Sequence, residues 1–250
     1  MMIDTHSHIF KEDYENIKEV INKMKDNIII VSGTNDDTNK EVLELVSKYN
    51  NIYGTLGIHP SEIDKVTSDS FNLIENNLNN KKIIGIGEVG LDYYWVKDNK
   101  EEQKDLFIKQ IELAKKYNKA VVVHTRDSIE DTYEIVKEYK DVKFIIHCFS
   151  SSLDMANKFI KLGCKLGIGG VLTFKNSKKL KEVVENIDIK YLLLETDSPY
   201  LTPEPYRGKK NEPYNIIYVA EEIAKIKNLK VEEVLKITTE NTISQFDLKI

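Results

Sequence analysis

The sequence is poor in several residue types, and each shortage excludes a class of protein. Its 250 residues include two cysteines, Cys148 and Cys164, which are too few for a disulfide framework and lack the paired spacing of a structural zinc site. We therefore expect free thiols. No apolar stretch approaches the ~18 residues that a membrane-spanning helix needs, and a polar segment begins already at Asp4. We therefore expect a cytoplasmic protein without membrane contact.

The sequence also lacks an excess of basic over acidic residues. The chain has 36 basic and 41 acidic residues, a net charge of -5. A protein that coats long duplexes neutralises many phosphates with Lys and Arg, so the balance argues against that class. It does not exclude a nuclease, because an enzyme that grips one or two phosphates can take its positive charge from bound metal ions.

What the sequence does have is a regular alternation of short apolar runs and longer, charged segments with helical periodicity, such as residues 101–117. No break in composition marks a linker. The apolar runs predict eight strands, at 1–5, 27–32, 52–58, 82–87, 119–123, 142–146, 164–168 and 190–194. This order predicts an α/β protein, a single (β/α)8 TIM barrel over residues 1–250 with an extra C-terminal helix at about 231–246.

Eight βα units can also build an open, doubly wound sheet. A sheet of that kind usually has a Gly-rich phosphate-binding turn after its first strand. Here that position holds the segment His6-Ser7-His8. The sequence therefore favours the closed barrel.

All five histidines lie at or just past the carboxyl ends of predicted strands, and two carboxylates share this placement. In a barrel these ends open onto one face, so the side chains should converge. Imidazole and carboxylate groups suit a divalent ion, and burying so many ionisable groups without a cation would be costly. We predict as metal ligands His6, His8, Glu88, His124, His147 and Asp197.

Each residue also has a simpler interpretation, although His6 and His8, two apart on an extended strand end, can reach one ion together. Glu88 could be a buried carboxylate paired with a lysine, and Asp197 could be a turn or cap residue. The fifth histidine, His59, precedes Pro60 and could only hydrogen-bond within its turn. Trp95 could stack against a nucleobase or simply pack at the rim.

Seven short motifs occur in a fixed order between residues 4 and 213. They are residues 4–8 (DTHSH), 57–60 (GIHP), 85–94 (GIGEVGLDYY), 123–126 (VHTR), 147–150 (HCFS), 194–201 (LETDSPYL) and 205–213 (PYRGKKNEP). In this order they resemble the motifs of the TatD-type metal-dependent deoxyribonucleases of the amidohydrolase superfamily. One departure is Ser151, because the family usually has glycine there.

The resemblance implies a barrel enzyme that hydrolyses phosphodiester bonds, often as a 3′ to 5′ exonuclease on DNA. Its cofactors would be two divalent metal ions, magnesium first, with manganese or zinc as alternatives. One ion would be held by His6, His8 and Asp197, the other by His124 and His147, with Glu88 bridging both. The expected partner is nucleic acid, as DNA ends or short or single strands, and no obligate protein partner is implied.

Three side chains are predicted to take part in catalysis. Two ions can acidify a shared water and clamp the attacking and leaving oxygens, and Glu88 suits a bridging position because one carboxylate offers an oxygen to each ion. Asp197 could ligate a metal and accept the proton of the water. His59 could hydrogen-bond a phosphate oxygen or donate a proton to the leaving group.

Substrate contacts are predicted for His59, Arg126, Arg207 and Asn211. Arg126, two residues past His124, could grip a phosphate through its forked donors or form a surface ion pair with a nearby acid. Arg207 and Asn211 lie in the polar loop after strand eight, near the phosphate region of barrel enzymes. Glu212, in the same loop, could orient a ligand histidine.

Two other functions stay open at this point. A metal-dependent hydrolase on the same scaffold could act on an amide, ester, lactone or mischarged aminoacyl-tRNA, because the fold does not fix the substrate. A metal-binding protein without turnover is the remaining alternative.

Overall fold

Eight short strands alternate with helices along the chain in a computed structural model that describes residues 1–94 and 98–249. Trp95 lies outside the described residues. The strands are β1 (Ile3–Ser7), β2 (Ile28–Ser32), β3 (Ile52–Leu56), β4 (Ile83–Asp92), β5 (Ala120–Arg126), β6 (Phe144–Ile146), β7 (Lys165–Ile168) and β8 (Leu192–Leu194). They form one sheet in the order β1 to β8.

The segments between the strands are helical, as their periodicity predicts. The α-helices are α1 (Ile17–Asn22), α2 (Asp36–Lys48), α3 (Ser68–Asn77), α4 (Lys100–Tyr117), α5 (Ile129–Val136), α6 (Leu153–Lys161), α7 (Lys178–Asn186), α8 (Ile216–Lys227) and α9 (Val231–Phe246). Short 3-10 helices occupy Pro60–Lys65, Gly170–Thr173, Ile189–Tyr191 and Pro213–Asn215. No helix in the described part of the chain combines the length and apolar character that crossing a membrane requires.

The first strand lies beside the last. The backbone N–H of Asp197 donates to the carbonyl of His6 at 3.0 Å, and that of His8 donates to the carbonyl of Ser198 at 2.6 Å. Ser7 and Ser198 form a parallel bridge. Eight strands in sequential order whose first and last members are neighbours define the predicted (β/α)8 barrel fold.

The described residues divide into two compact units. Residues 1–31, 148–161 and 165–249 form the first unit, and residues 32–94, 98–147 and 162–164 form the second. The first unit contains β1, β7 and β8 with a core that includes Ile168 and Leu193, and the second contains β3 to β6 with a core that includes Ile86 and Val121. The prediction of one domain over residues 1–250 stays a prediction.

Local side-chain chemistry sets the helix ends. Asn35 caps α2 by accepting from the backbone N–H groups of Asp37 and Thr38, and Thr67 caps α3. At the carboxyl ends of α4 and α8, Asn118 and Asn228 adopt the left-handed conformation, which asparagine tolerates better than most residues.

Two strands, β4 and β5, are longer than the sequence predicts. β4 continues from Ile83 to Asp92, with a register shift after which it pairs again with β5 as far as Asp92 and Arg126. The predicted strand ends at Gly87, whereas β4 continues beyond it, and its glycines allow close strand packing. A Cβ on Gly90, whose φ is 140°, would lie 2.1 Å from the carbonyl oxygen of His124. His6, Glu88 and His124 therefore lie inside strands, one to four residues before the strand ends instead of just past them.

The extra C-terminal helix, α9, has the predicted bounds. In the first unit it closes the amino ends of two strands. The hydroxyl of Thr239 donates to the carbonyl of Met1 at 3.2 Å, and the Asn241 amide donates to the carbonyls of Ile189 and Leu192, each at 2.9 Å. The opposite, carboxyl ends of these strands carry the predicted ligands.

Candidate metal site

Three predicted ligands meet in the first unit. His6 lies within β1 and His8 directly after it, and their Nε2 atoms are 3.0 Å apart. Asp197, after β8, places its Oδ1 atom 3.7 Å from His6 Nε2 and 3.5 Å from His8 Nε2. Both histidines are buried. The two-residue spacing therefore does turn both imidazoles toward one point, as predicted.

Asp4, which sequence analysis did not assign a role, connects β1 to the turn that carries Asp197. Its carboxylate accepts hydrogen bonds from the backbone N–H of Thr196 at 2.9 Å and from the Thr196 hydroxyl at 2.6 Å. It also accepts from the backbone N–H of His6 at 3.4 Å. Burial raises the pKa of Asp4 well above its ordinary value. The network sets the backbone on both sides of the ligand group.

Asn211, predicted to contact substrate, is fully buried. Its side-chain Nδ2 donates to the carbonyls of Thr196 and Tyr200, at 2.9 and 2.7 Å. Its Oδ1 accepts from the backbone N–H of Glu212 at 3.0 Å and from the amide of Asn215 at 2.9 Å. Asn211 therefore holds the surrounding loop in position through its side-chain hydrogen bonds, and its side chain does not lie at the surface.

The second unit holds the other predicted ligands around Glu88. The Oε1 atom of Glu88 lies 2.7 Å from His124 Nδ1, 3.3 Å from His147 Nε2 and 3.7 Å from His59 Nε2. Glu88 is 4% exposed and His147 is 5% exposed. The alternative of a simple Glu88 and lysine pair does not describe this environment, because three imidazoles surround the carboxylate.

Asp92 is a further member of this group that sequence analysis did not assign. Its Oδ2 atom lies 3.1 Å from His124 Nε2, on the side of the ring away from Glu88. Burial alone would lower the pKa of His124, but its hydrogen bonds to Asp92 and Glu88 outweigh burial and raise the pKa. Burial conversely favours a higher pKa for Asp92, and the hydrogen bond to His124 outweighs it, so that pKa is lowered. Both shifts favour an ionised Asp92 carboxylate beside a protonated His124 ring.

His59 has the cap role that one of its sequence interpretations gives it, and its catalytic role stays a prediction. It caps the 3-10 helix at Pro60–Lys65, because its Nδ1 accepts from the backbone N–H of Ser61 at 3.1 Å. Its ring also lies 4.4 Å from that of His124. The cap fixes the ring while Nε2 points to the site.

The donor spacing fits metal coordination. Ligand atoms at 2.0 to 2.2 Å from one ion are separated by about 3.0 to 3.5 Å in tetrahedral or octahedral geometry. The distances around His6, His8 and Asp197 and around Glu88, His124 and His147 fall near that range. His6, His8 and Asp197 can together hold a metal ion. Mixed imidazole and carboxylate sets accept Mg²⁺, Mn²⁺ or Zn²⁺.

The predicted substrate arginines lie over aromatic rings. The Arg126 guanidinium carbon is 3.8 Å from the centre of the Tyr94 ring, and that of Arg207 is 4.2 Å from the centre of the Phe174 ring. Glu212, expected to orient a ligand histidine, instead forms an ion pair with Lys23 at 2.6 Å. That prediction is wrong, and Asp92 occupies the corresponding place beside His124.

Comparisons with known proteins agree with this architecture. Residues 3–247 match the family model described as TatD related DNase. The chain is 42% identical over 247 residues to the uncharacterized metal-dependent hydrolase YabD of Bacillus subtilis, covering 96% of this chain and 97% of the relative. It is 41% identical to the uncharacterized metal-dependent hydrolase MJ1582 of Methanocaldococcus jannaschii, covering 99% and 98%.

The solved structures extend the likeness to the fold. The crystal structure of YJJV, a TatD homolog from Escherichia coli K12, superposes with a TM-score of 0.92 at 28% identity, covering 99% of this chain and 98% of that one. The fold, the site and the relatives define a class, the metal-dependent hydrolases built on a (β/α)8 barrel. Within that class, the chain belongs to the family of TatD-related DNases.

Proposed function

We propose that the protein is a metal-dependent phosphodiesterase, a TatD-type deoxyribonuclease that removes nucleotides from DNA in the 3′ to 5′ direction. The observation that carries the proposal is the ligand spacing of two groups on the family fold. His6, His8 and Asp197 make one group, and in the other the Oε1 atom of Glu88 lies 2.7 Å from His124 Nδ1 and 3.3 Å from His147 Nε2. DNA ends and single strands are the proposed partners. A cytoplasmic location and the lack of an obligate protein partner stay predictions.

Each group would hold one divalent ion, magnesium first, with manganese or zinc as alternatives. When bound, such ions supply positive charge for the phosphoryl oxygens and acidify water. The bridging role of Glu88 stays a prediction. Its Oε1 atom already contacts His124 and His147, so its carboxylate is fixed in direction before any substrate arrives.

The chain supplies the proton transfers. Asp197 is partly exposed, with 16% of its side chain reaching solvent, so its carboxylate can accept the proton of an attacking water. His59 accepts a hydrogen bond at Nδ1 from Ser61, which leaves the proton of the neutral ring on Nε2. That Nε2–H can donate to a phosphate oxygen or to the leaving alkoxide. Arg126 and Arg207 would grip neighbouring phosphates through their forked donors.

The proposal is tested with metal-stripped protein on single-stranded DNA labelled at the 3′ or the 5′ end, with Mg²⁺, Mn²⁺ and Zn²⁺ restored in turn. We expect no cleavage without metal and early release of the 3′ label with metal. A parallel panel of ester, lactone and cyclic-amide substrates separates a nuclease from another hydrolase of this class. Turnover of an acyl substrate without DNA cleavage would refute the assignment.

Removing a ligand carboxylate tests the site directly. Glu88→Ala and Asp197→Ala should each abolish metal-dependent cleavage, by at least about 10²-fold, while the circular dichroism spectrum stays that of the folded protein. Asp105→Ala, on the exposed side of α4, is the matched control and should cleave normally. Undiminished cleavage in either ligand variant would remove that residue from the site.

A further inference from the structure

Two glutamines lie on the buried side of helix α4, where apolar residues are expected. Gln103 and Gln110 are seven residues apart, so they lie about two turns apart on the same face of the helix. They are 1% and 0% exposed, and the other buried positions of that face include Leu106, Phe107 and Ile111. Burying an amide is costly unless hydrogen bonds satisfy it. Two amides within this apolar face therefore indicate a specific role.

Gln110 binds the backbone directly before His59. Its Oε1 accepts from the Ile58 N–H at 2.8 Å, and its Nε2 donates to the Ile58 carbonyl at 3.0 Å. Ile58 lies past the end of β3, so a side chain takes the place that a neighbouring strand has within the sheet. Gly57 is held in the same way by Asn39, whose Oδ1 accepts from its N–H at 3.1 Å and whose Nδ2 donates to its carbonyl at 2.9 Å. The chain therefore reaches His59 along a backbone that two buried amides fix.

Gln103 binds Asp92 in the same two-bond arrangement. Its Oε1 accepts from the Asp92 N–H at 2.8 Å, and its Nε2 donates to the Asp92 carbonyl at 3.0 Å. Asp92 is the last residue of β4, and its Oδ2 lies 3.1 Å from Nε2 of His124. One helix therefore fixes the backbone at two places of the candidate site, next to His59 through Gln110 and at Asp92 through Gln103.

The two fixed segments differ in what they present to the site. The His59 ring centre lies 4.4 Å from that of His124, and its Nε2 lies 3.7 Å from Oε1 of Glu88. A misplacement of about 1 Å in a group that acts on the reacting atoms can lower a rate about 100-fold. A carboxylate behind a ligand imidazole, as Asp92 is, instead sets the affinity for the metal. The two glutamines should therefore act on different quantities.

We propose that Gln110 and Gln103 are positioning residues of this site, Gln110 for His59 in the cleavage step and Gln103 for Asp92 behind the ligand His124. The inference rests on the proposed phosphodiesterase function and adds two residues of α4 through which the fold controls it. Each glutamine acts through the backbone of the residue that it binds. A purely structural role would lower the free energy of unfolding in both variants without separating cleavage from metal affinity.

The test compares the cleavage rate with the metal affinity. Gln110→Met and Gln103→Met each replace an amide by an apolar side chain of similar length. On single-stranded DNA at saturating Mn²⁺, we expect Gln110→Met to lower kcat about 10- to 100-fold and Gln103→Met to leave kcat nearly unchanged. Isothermal titration of the metal-stripped proteins should show the reverse, with a Kd for Mn²⁺ about 10-fold higher in Gln103→Met and unchanged in Gln110→Met.

Paired substitutions show whether each glutamine acts through its partner. Coupled residues do not contribute additively. In a His59→Ala protein, Gln110→Met should therefore lower kcat no further, and in an Asp92→Ala protein, Gln103→Met should weaken Mn²⁺ binding no further. Additive losses in either pair would overturn the inference for that glutamine.

The position of His59 can also be followed without turnover. Histidine labelled with carbon-13 at Cε1 gives one NMR signal per ring, and His59→Ala identifies the His59 signal in metal-stripped protein. This signal should shift in Gln110→Met and stay in place in Gln103→Met. Asn241→Ala is the matched control, because it removes a buried helix amide that binds two backbone carbonyls at the amino ends of strands in the first unit. It should keep the parent kcat, Mn²⁺ affinity and His59 signal.

An unshifted His59 signal in Gln110→Met would overturn the inference, and so would equal changes of kcat and Mn²⁺ affinity in the two methionine variants. If a methionine variant does not fold, the glutamate variant at the same position replaces it, because its carboxyl group keeps the acceptor for the backbone N–H, and the same direction of change is expected. The two proposals fail separately. A shifted His59 signal in a protein that cleaves no phosphodiester would refute the enzyme and keep the positioning role, whereas cleavage at the parent rate by Gln110→Met would keep the enzyme and refute that role.

Discussion

His124 is held at both ring nitrogens, by Glu88 at 2.7 Å and by Asp92 at 3.1 Å. Asp92 itself is fixed, because its Oδ1 accepts from the backbone N–H of Tyr94 and its own N–H donates to Gln103. A carboxylate behind a ligand imidazole orients the ring and makes the ligand more basic. Asp92 is therefore the residue that presents Nδ1 of His124 toward Glu88.

Asp92→Asn should weaken metal binding about 10- to 100-fold, because the amide is a poorer acceptor for the imidazole N–H. Isothermal titration of metal-stripped protein with Mn²⁺ measures the change. Asp105→Asn, a substitution of the same kind at an exposed position, should leave the affinity as it was. Equal affinities in all three proteins would show that Asp92 only fills space.

At the residue scale, the sequence predicts what short spacings determine. His6 and His8 are two apart on a strand, so alternation alone places their rings together. Asp92 stands four residues after Glu88, on the same face of β4, but that signal exists only if the strand continues past two glycines. The burial of Asn211 depends on a loop fold that no local pattern encodes.

At the scale of elements, lysines at the amino ends of two strands donate hydrogen bonds to backbone carbonyls near the start of the neighbouring strand. Lys119, next to β5, donates to the carbonyl of Ile83 at 2.5 Å, and Lys165, in β7, donates to that of Lys190 at 2.5 Å. Burial lowers the pKa of both lysines. These hydrogen bonds satisfy carbonyl groups at the strand ends, but they require each lysine ammonium group to be partly removed from water.

The free energy of unfolding should depend on pH through Lys119. Its folded-state pKa is below the ordinary 10.5, so between these values the unfolded chain binds more protons and stability rises with pH. Urea unfolding from pH 8 to 10 should show this rise, and Lys119→Met should reduce the slope by at most about 1.4 kcal/mol per pH unit. Lys109→Met, exposed on α4, serves as control. Identical slopes in Lys119→Met and the parent protein would contradict the prediction.

The side-chain amide of Asn241 hydrogen-bonds the last helix, α9, to β8. Asn241→Ala removes the donor that binds the carbonyls of Ile189 and Leu192, and should destabilise the protein by about 2 kcal/mol, since a buried and a partly buried acceptor lose their partner. Asn186→Ala, whose amide bonds only to Glu182 on a helix surface, should cost less than about 0.5 kcal/mol. Chemical denaturation compares the two, and equal costs would mean that α9 does not depend on Asn241.

Elements were predicted best where periodicity is strong. The bounds of α9 and nearly those of α4 follow from apolar spacing, whereas β1 and β4 extend beyond their apolar runs. The continuations contain His6 and Glu88, buried polar residues that hydropathy does not assign to a strand. Hydropathy therefore ends these strands too early at the points where the chemistry is located.

For the whole molecule, the alternation of strands and helices predicts the barrel because closure satisfies both sheet edges. The predicted convergence of ligands gains support within each unit, since one holds His6, His8 and Asp197 and the other holds Glu88, His124 and His147. The number of ions, their identity and the substrate do not follow from strand order. They depend on occupancy and on loops such as residues 200–211.

Metal stoichiometry connects these groups to the stability of the whole molecule. If each group holds one ion, metal-stripped protein reloaded with Mn²⁺ should contain two ions per chain by elemental analysis, and His8→Ala and His147→Ala should each retain one. An ion at 100 times its Kd adds about 2.7 kcal/mol to the free energy of unfolding, so each variant should lose about that amount of metal-dependent stabilisation. Asp105→Ala should behave as the parent protein. A single ion in the parent protein would contradict the prediction of two ligand groups, and so would the loss of both ions in His8→Ala or in His147→Ala. If Glu88 bridges the two ions, Glu88→Ala should be the one variant that loses both.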